Sequence, residues 1–288
     1  MQSIVVDAHG KINLTLDVLR RREDGYHDIK SVMQSIGIAD RLIINKQNEG
    51  IELETNIHIT TERKNLAWRA AELFFETMDL KAGVKIKLIK NLPLSAGLAG
   101  GSGNAAAVLW ALNKLYKTDL SLSELQEIGA SLGADIPFCL QGGTLLAEGI
   151  GDQLTKLPDL PQYYIVLVKP NQSVSTQRIY QSLTNDMFGE RYSSGLIQRL
   201  RANLDISAAC GNVLQGVTSM MIAEIDLWQE RMLHEGAKAS IMSGSGPTVF
   251  GLFAEKTDAI QFCQKWKDRK RWIAWTTPVS TGLSQVKE

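Results

Sequence analysis

Residues 92–107, LPLSAGLAGGSGNAAA, bring four glycines together (Gly97, Gly100, Gly101 and Gly103) and run directly into an alanine-rich helical pattern. Glycines leave backbone N–H groups bare, and a helix N-terminus favours negative charge, so the arrangement suits a phosphate. That chemistry implies a nucleotide. Residues 91–113 contain no charged side chain, as in a membrane span, but Pro93, Ser95, Ser102, Asn104, Asn113 and the glycines make them too polar and broken for one. Gly101-Ser-Gly103-Asn-Ala-Ala106 fits the dinucleotide pattern G-x-G-x-x-A, which needs a strand ending at its first glycine and a second, parallel strand closed by an acidic residue. Here the preceding strand pattern, 84–89, is a long loop away, and Asp119 precedes another helical pattern. No Gly-Lys-Ser/Thr follows, which excludes the ordinary P-loop. A flexible glycine-rich turn before a core helix remains the alternative.

Three further groups have the types for chemistry. KINLTLDVL, 11–19, alternates strictly, with Ile12, Leu14, Leu16 and Val18 on one face and Lys11, Asn13, Thr15 and Asp17 on the other. The polar face either lines a cleft or is the solvent side of an edge strand. Asp24-Gly25 marks a turn with Tyr26-His27 beyond it. An aromatic beside an imidazole can stack on and hydrogen-bond a planar base; the two are equally compatible with an ordinary hairpin. Asp135 is the only acidic residue between Glu127 and Glu148. A lone carboxylate in apolar sequence either caps a helix or meets a cation or a reacting group.

The elements that must position these groups follow from periodicity. Strands are expected at 29–36, 41–45, 51–55, 84–89, 144–147, 163–168, 239–242, 249–253 and 272–276. Helices are expected at 65–78, 102–116, 122–132 (opened by the capping box Ser121-x-x-Glu124) and 257–267, with a short one capped by Ser175 and a weakly patterned helical region through 228–234. The mixture implies an α+β sandwich. The chain of 288 residues suits two domains, 1–160 and 161–288, divided near the break at Pro158 and Pro161.

Composition excludes several classes. Lys+Arg and Asp+Glu are 31 each, so nothing favours nucleic acid or an anionic membrane, and the basic runs 20–22 and 265–271 read as solvated surface. Three distant cysteines (Cys139, Cys210 and Cys263) argue against a disulfide framework. His9, His27, His58 and His234 lack zinc-site spacing. The first residues lack an apolar core of signal-peptide length, so the expected location is cytoplasmic.

Taken in order, KINLTLDV with DGYH, PLSAGLAGGSGNAAA and IMSGSGPTVFG resemble the three motifs of the GHMP small-molecule kinases, over nearly the whole chain. DGYH, GADIPF and SGSGPTVF resemble the branch whose acceptor alcohol carries a cytidine diphosphate group. The resemblance implies a ribosomal-protein-S5-like N-terminal domain, a ferredoxin-like C-terminal domain and an active site in the cleft between them. It implies ATP as phosphoryl donor with Mg2+, a catalytic pair Lys11 and Asp135, and an ATP site formed by Pro93, Leu94, Ser95, Ala96, Gly97, Leu98, Ala99, Gly100, Gly101, Ser102 and Gly103, with Asn65 and Leu66 near the adenine. Asn13, Tyr26, His27, Thr176, Tyr180, Gly244 and Gly246 match substrate positions. The sequence departs from the family in His9-Gly10, where Pro-Ala is usual, and in Ser95-Ala96 and Ala99, which replace glycines. Gly103 stands where a serine is usual, and the magnesium ligands are unassigned. The implied partner is a small molecule with a cytidine diphosphate group, neither nucleic acid nor membrane, and the implied protein a monomer or weak homodimer. A kinase for another small alcohol and a non-catalytic nucleotide-binding relative are the rival readings.

Overall fold

The computed structural model describes residues 2–57, 62–268 and 271–286; His58 and part of the 265–271 basic run lie outside them. The first half gives β1 (Ser3–Asn13), β2 (Thr15–Arg21), β3 (His27–Gln47), β4 (Gly50–Thr55), α1 (Leu66–Thr77), β5 (Gly83–Ile89), α2 (Gly100–Tyr116), α3 (Leu122–Ala130), α4 (Ile136–Gln141), β6 (Thr144–Glu148) and β7 (Gln153–Lys156). The second gives β8 (Tyr164–Lys169), α5 (Thr176–Gln181), α6 (Ser193–Arg201), β9 (Gly211–Asn212), α7 (Leu214–Met221), α8 (Glu224–His234), β10 (Ala239–Met242), β11 (Val249–Phe253), α9 (Lys256–Trp266), β12 (Trp272–Thr276) and β13 (Leu283–Val286).

β3 replaces the two strands expected at 29–36 and 41–45. Its pairing with β1 jumps from His9 opposite Ala39 to Gly10 opposite Ile36, so residues 37 and 38 form a bulge. Gly37 therefore lies at a bend within one continuous strand. β3 is long enough to pair β5 along its second half and β6 along its first. α1 and α2 cover this sheet, with Ala67, Ala70, Ala71 and Phe74 of α1 and Ala105, Val108, Leu109 and Leu112 of α2 packed into one core with Val6, Leu42, Ile44 and Ile86. The small alanines let both helices approach closely.

The second sheet has the order β10-β11-β8-β12, all antiparallel, which is the pairing of a βαββαβ ferredoxin-like unit. A second core joins the halves, with Ile12, Leu14, Ile36, Ala96 and Leu98 packed against Ile165, Leu167, Ile241 and Phe250. Sheet membership does not follow the linear division at 160. β9 pairs parallel to β2, and β13 pairs with β1, so both return to the first sheet.

A buried ion pair fixes the start of the glycine-rich loop. Asp40 is fully buried, pairs with the Lys90 ammonium, and accepts 2.8 Å hydrogen bonds from the N–H groups of Asn91 and Leu92. A side chain at Gly100 would come within 3.0 Å of Lys90 Nζ, so the pair sits beneath the start of α2. Lys90→Met leaves the Asp40 charge without its cation, a loss of about 3–5 kcal/mol. Calorimetry is expected to show a Tm fall on the order of 10 °C; a fall below about 2 °C rules out this anchoring.

Candidate active site

The polar face of the first motif is not solvent-facing. Lys11, Asn13, Thr15 and Asp17 are all at least 96% buried, because the second half of the chain packs over them. The alternation simply continues across a bend at Leu14 from β1 into β2. Lys11 Nζ donates a 2.7 Å hydrogen bond to Asn13 Oδ1 and lies 4.0 Å from Asp135 Oδ2. Asn13 Nδ2 in turn donates to Ser31 Oγ at 2.8 Å, which holds the amide oxygen toward the lysine. Asp135 occupies the N-cap position of α4, yet its side chain makes no capping bond. Its carboxylate, 40% exposed, is left to face Lys11 at the mouth of the site.

Two glycine turns close over this pair. Gly97 has φ +74°, and a Cβ there would stand 2.3 Å from the Ser243 carbonyl oxygen, so only glycine allows the turns to touch. Ser243 Oγ donates to the Gly97 carbonyl at 3.0 Å and accepts from the Asn13 N–H at 3.3 Å. The Lys11 N–H donates to the Leu98 carbonyl at 3.1 Å. A Cβ at Gly244 would lie 3.4 Å from both Lys11 Nζ and Asn13 Oδ1, which places the 243–247 turn directly against the lysine. Asn212 Nδ2 secures that turn through 2.8 Å bonds to the carbonyls of Met242 and Gly244, while a cis peptide joins Gly246 to Pro247.

The predicted phosphate loop divides by burial. Leu94, Ser95 and Gly101 are exposed; Pro93, Gly97, Ala99, Gly100 and Ser102 are half-buried; Ala96, Leu98 and Gly103 are buried, the first two in the core between the halves. The side chains of Ala96 and Leu98 therefore anchor the loop. Ala99 is the N-cap of α2 with φ +54° and no side-chain capping bond, so the first N–H groups of α2 remain available to an anion. Asn65 instead caps α1, accepting from the Ala67 N–H at 2.9 Å. Leu66 lies 3.4 Å from where a Gly101 Cβ would be, bringing the starts of α1 and α2 together.

The aromatic group is brought together in part. The buried His27 ring lies 5.2 Å from Tyr180 and 5.9 Å from Phe188, centroid to centroid. Burial, and next the Asp135 carboxylate, push the Tyr180 phenol well above its usual range. Tyr26 is 63% exposed at the hairpin tip and stacks on no ring among the described residues. Thr176, at the start of α5, meets the third motif through a 2.7 Å contact between its Oγ1 and Ser245 Oγ. Ser31, Asn212 and Ser243 were not singled out in the sequence. They are short polar residues within strands or turns, and only Gly244 and Gly246, which follow Ser243, signal its position.

His9 turns away from Lys11. Its Nδ1–H donates to the Ile36 carbonyl at 3.2 Å, and Nε2 lies 2.8 Å from Ser284 Oγ, beside a cavity of about 510 Å³ also lined by Gln34, Thr144 and Ser280. Burial lowers its pKa from the ordinary 6.5, outweighing the Ile36 carbonyl and Asp7. The folded state thus binds fewer protons, so this contribution to stability is complete above about pH 6.5 and is lost as pH falls through that value toward the folded pKa. A His9→Gln variant is expected to show a flatter decline of Tm between about pH 7.5 and 5.5; parallel curves would refute the assignment.

Residues 65–143 match the family described as GHMP kinases N terminal domain, and residues 193–271 that described as GHMP kinases C terminal. A Listeria monocytogenes protein named 4-diphosphocytidyl-2-C-methyl-D-erythritol kinase is 45% identical over 260 residues, 89% of each chain. A Caldicellulosiruptor saccharolyticus protein of the same name is 43% identical over 279 residues, 95% of this chain and 96% of its own. A solved 4-(cytidine 5'-diphospho)-2C-methyl-D-erythritol kinase superposes with TM-score 0.82 at 32% identity, covering 96% of this chain and all of that one. A homoserine kinase from Cytophaga hutchinsonii superposes at 0.78 with 19% identity, over 99% of this chain and 98% of that one, a likeness of fold. The chain belongs to the GHMP kinases, in the family of the 4-diphosphocytidyl-2-C-methyl-D-erythritol kinases, and has their two-domain α+β architecture.

Proposed function

We propose that this chain transfers the γ-phosphoryl group of ATP to a hydroxyl of 4-diphosphocytidyl-2-C-methyl-D-erythritol, a step in non-mevalonate isoprenoid precursor synthesis. The observation that carries the reading is Lys11 Nζ held 4.0 Å from the uncapped Asp135 carboxylate, beneath two touching glycine turns. In phosphoryl transfer, positioning and charge stabilisation dominate. Asp135 takes the hydroxyl proton as the oxygen attacks phosphorus. Lys11, held by Asn13 and excluded from bulk water, stabilises charge on the transferring group. The bare N–H groups at the start of α2 and the loop 93–103 receive the ATP phosphates, with the adenine toward Asn65 and Leu66. Thr176, Gly244 and Gly246 border the acceptor, and His27 with Tyr180 receives the cytosine, with the exposed Tyr26 at the outer edge of that site.

Among the described residues, no group of three or more His, Cys, Asp or Glu side chains is placed to hold a metal ion. Mg2+ would be held mainly by the ATP phosphates and water, with Asp135 the nearby carboxylate, and would supply neutralisation of phosphate charge. The three unpaired cysteines support a cytoplasmic location. No helix among the described residues is long and apolar enough to cross a membrane. The domains divide near residue 160, with β9 and β13 returning to the first.

Phosphorus NMR of Mg-ATP with the cytidylyl substrate tests the reading. A new phosphomonoester signal is expected with wild type and its loss with Lys11→Met. Wild type that binds ATP yet yields no such signal overturns the assigned substrate.

A further inference from the structure

Asp17 is fully buried, and no cation pairs with it among the described residues. Its carboxylate instead accepts the backbone N–H groups of Arg191 at 3.1 Å, Tyr192 at 3.2 Å and Ser193 at 2.8 Å, the residues leading into α6. A carboxylate of the first sheet thus caps a helix of the second half across 176 residues of sequence. The same connection is reinforced on both sides. The Gly189 N–H donates to the Val18 carbonyl at 2.9 Å, and Lys30 Nζ donates to the Glu190 carboxylate at 2.9 Å and to Ser194 Oγ at 3.0 Å. Residues 189–194 are therefore a strap latched to the hairpin formed by β2 and β3. That hairpin carries His27 at the start of β3, and Phe188 directly precedes the strap. Phe188 is half-buried, with its ring 5.9 Å from His27 on a contact separate from that of Tyr180.

We propose that Phe188 is a specificity-determining wall of the pocket for the cytosine end of the substrate, and that Asp17 is its positioning residue, acting through the strap. The inference rests on the proposed acceptor and deepens it. Loss of the Asp17 clamp leaves three amide N–H groups without their acceptor and frees the segment that sets the distance between Phe188 and His27. Loss of Phe188 removes the wall itself. The two changes must then act on one quantity, the affinity for the cytidylyl group, while ATP binds at the other end of the cleft. An Asp17 that merely stabilises the fold would lower Tm and leave this quantity alone.

The test is a double-mutant cycle in the full chain with Asp17→Asn, Phe188→Ala and the double variant, reading KM for each substrate, kcat and Tm. Base–aromatic stacking contributes about 1–3 kcal/mol, so Phe188→Ala is expected to raise KM for the cytidylyl substrate about tenfold, with KM for ATP within about twofold. Asp17→Asn raises the same KM by a smaller factor, and the double variant is no worse than Phe188→Ala alone. Multiplying effects in the double variant, or a Tm loss with unchanged substrate KM in Asp17→Asn, overturns the positioning role. If Asp17→Asn does not fold, Lys30→Met replaces it in the cycle and cuts the strap at Glu190 and Ser194. Calorimetric binding of CDP reads the same cycle without turnover. A wild type that binds CDP in this pattern yet fails to phosphorylate the substrate refutes the proposed reaction and leaves the strap standing.

Discussion

Asp135→Asn is expected to lower kcat by about 10²–10⁴-fold, the usual contribution of a positioned base, while the fold survives. The geometry separates those two outcomes. Asp135 stands at the N-cap of α4, where a carboxylate that accepted a backbone N–H would contribute about 1 kcal/mol to stability, and it makes no such bond. Its side chain is 40% exposed and 4.0 Å from Lys11 Nζ, so the asparagine is tolerated sterically and still presents an oxygen to the lysine. What the amide lacks is the capacity to take a proton from the attacking hydroxyl. Tm should therefore stay near wild type and KM for ATP should change little, with the loss confined to kcat. Steady-state kinetics and a thermal melt on the same preparation check this. A variant retaining full kcat removes Asp135 from the chemistry and leaves Lys11 to act through charge alone.

The same residue shows how far the sequence carries. A lone acidic residue in apolar surroundings allowed either a cap or a chemical partner, and the choice depended on where Lys11 lay, 124 residues earlier in the chain by their numbers. Local signals read well. The capping box of Ser121 and Glu124, Ser175 before α5 and the paired strands β10 and β11 all stand where periodicity and capping rules put them, whereas Asn65, expected inside its helix, is the residue that caps it. Long-range burial was not legible. The face of Lys11, Asn13, Thr15 and Asp17 has the alternation of a solvent-facing edge strand and is buried because Ser193, Ser243 and the strap pack onto it. β13 has a short unremarkable sequence and exists as a strand because β1 offers it an edge. Tyr26 and His27 are neighbours in sequence, but the strand begins between them, so one ring is buried beside Tyr180 and Phe188 and the other faces solvent.

Gly97→Ala is expected to reduce kcat/KM for ATP by about 10²-fold, the loss that accompanies a displacement of about 1 Å at a reacting centre. A Cβ at this position would lie 2.3 Å from the Ser243 carbonyl oxygen, and φ +74° is a conformation that alanine resists. Neither atom is the end of a flexible side chain, so relief requires the loop and the 243–247 turn to move apart. Three hydrogen bonds oppose that movement, from Ser243 Oγ to the Gly97 carbonyl, from the Asn13 N–H to Ser243 Oγ, and from the Lys11 N–H to the Leu98 carbonyl. The second starts from Asn13, which holds the Lys11 ammonium, and the third from Lys11 itself, so parting the turns also shifts the lysine from Asp135. Strain of about 1–3 kcal/mol should lower Tm by several degrees as well, at roughly 2–4 °C per kcal/mol. Gly101→Ala is the control, because Gly101 lies within α2, has no positive φ and would meet only Leu66, at 3.4 Å, so its Tm should hold. If Gly97→Ala matches wild type in both kinetics and Tm, the contact between the two turns does not assemble the site, and the Lys11–Asp135 geometry must be maintained by β1 and α4 alone.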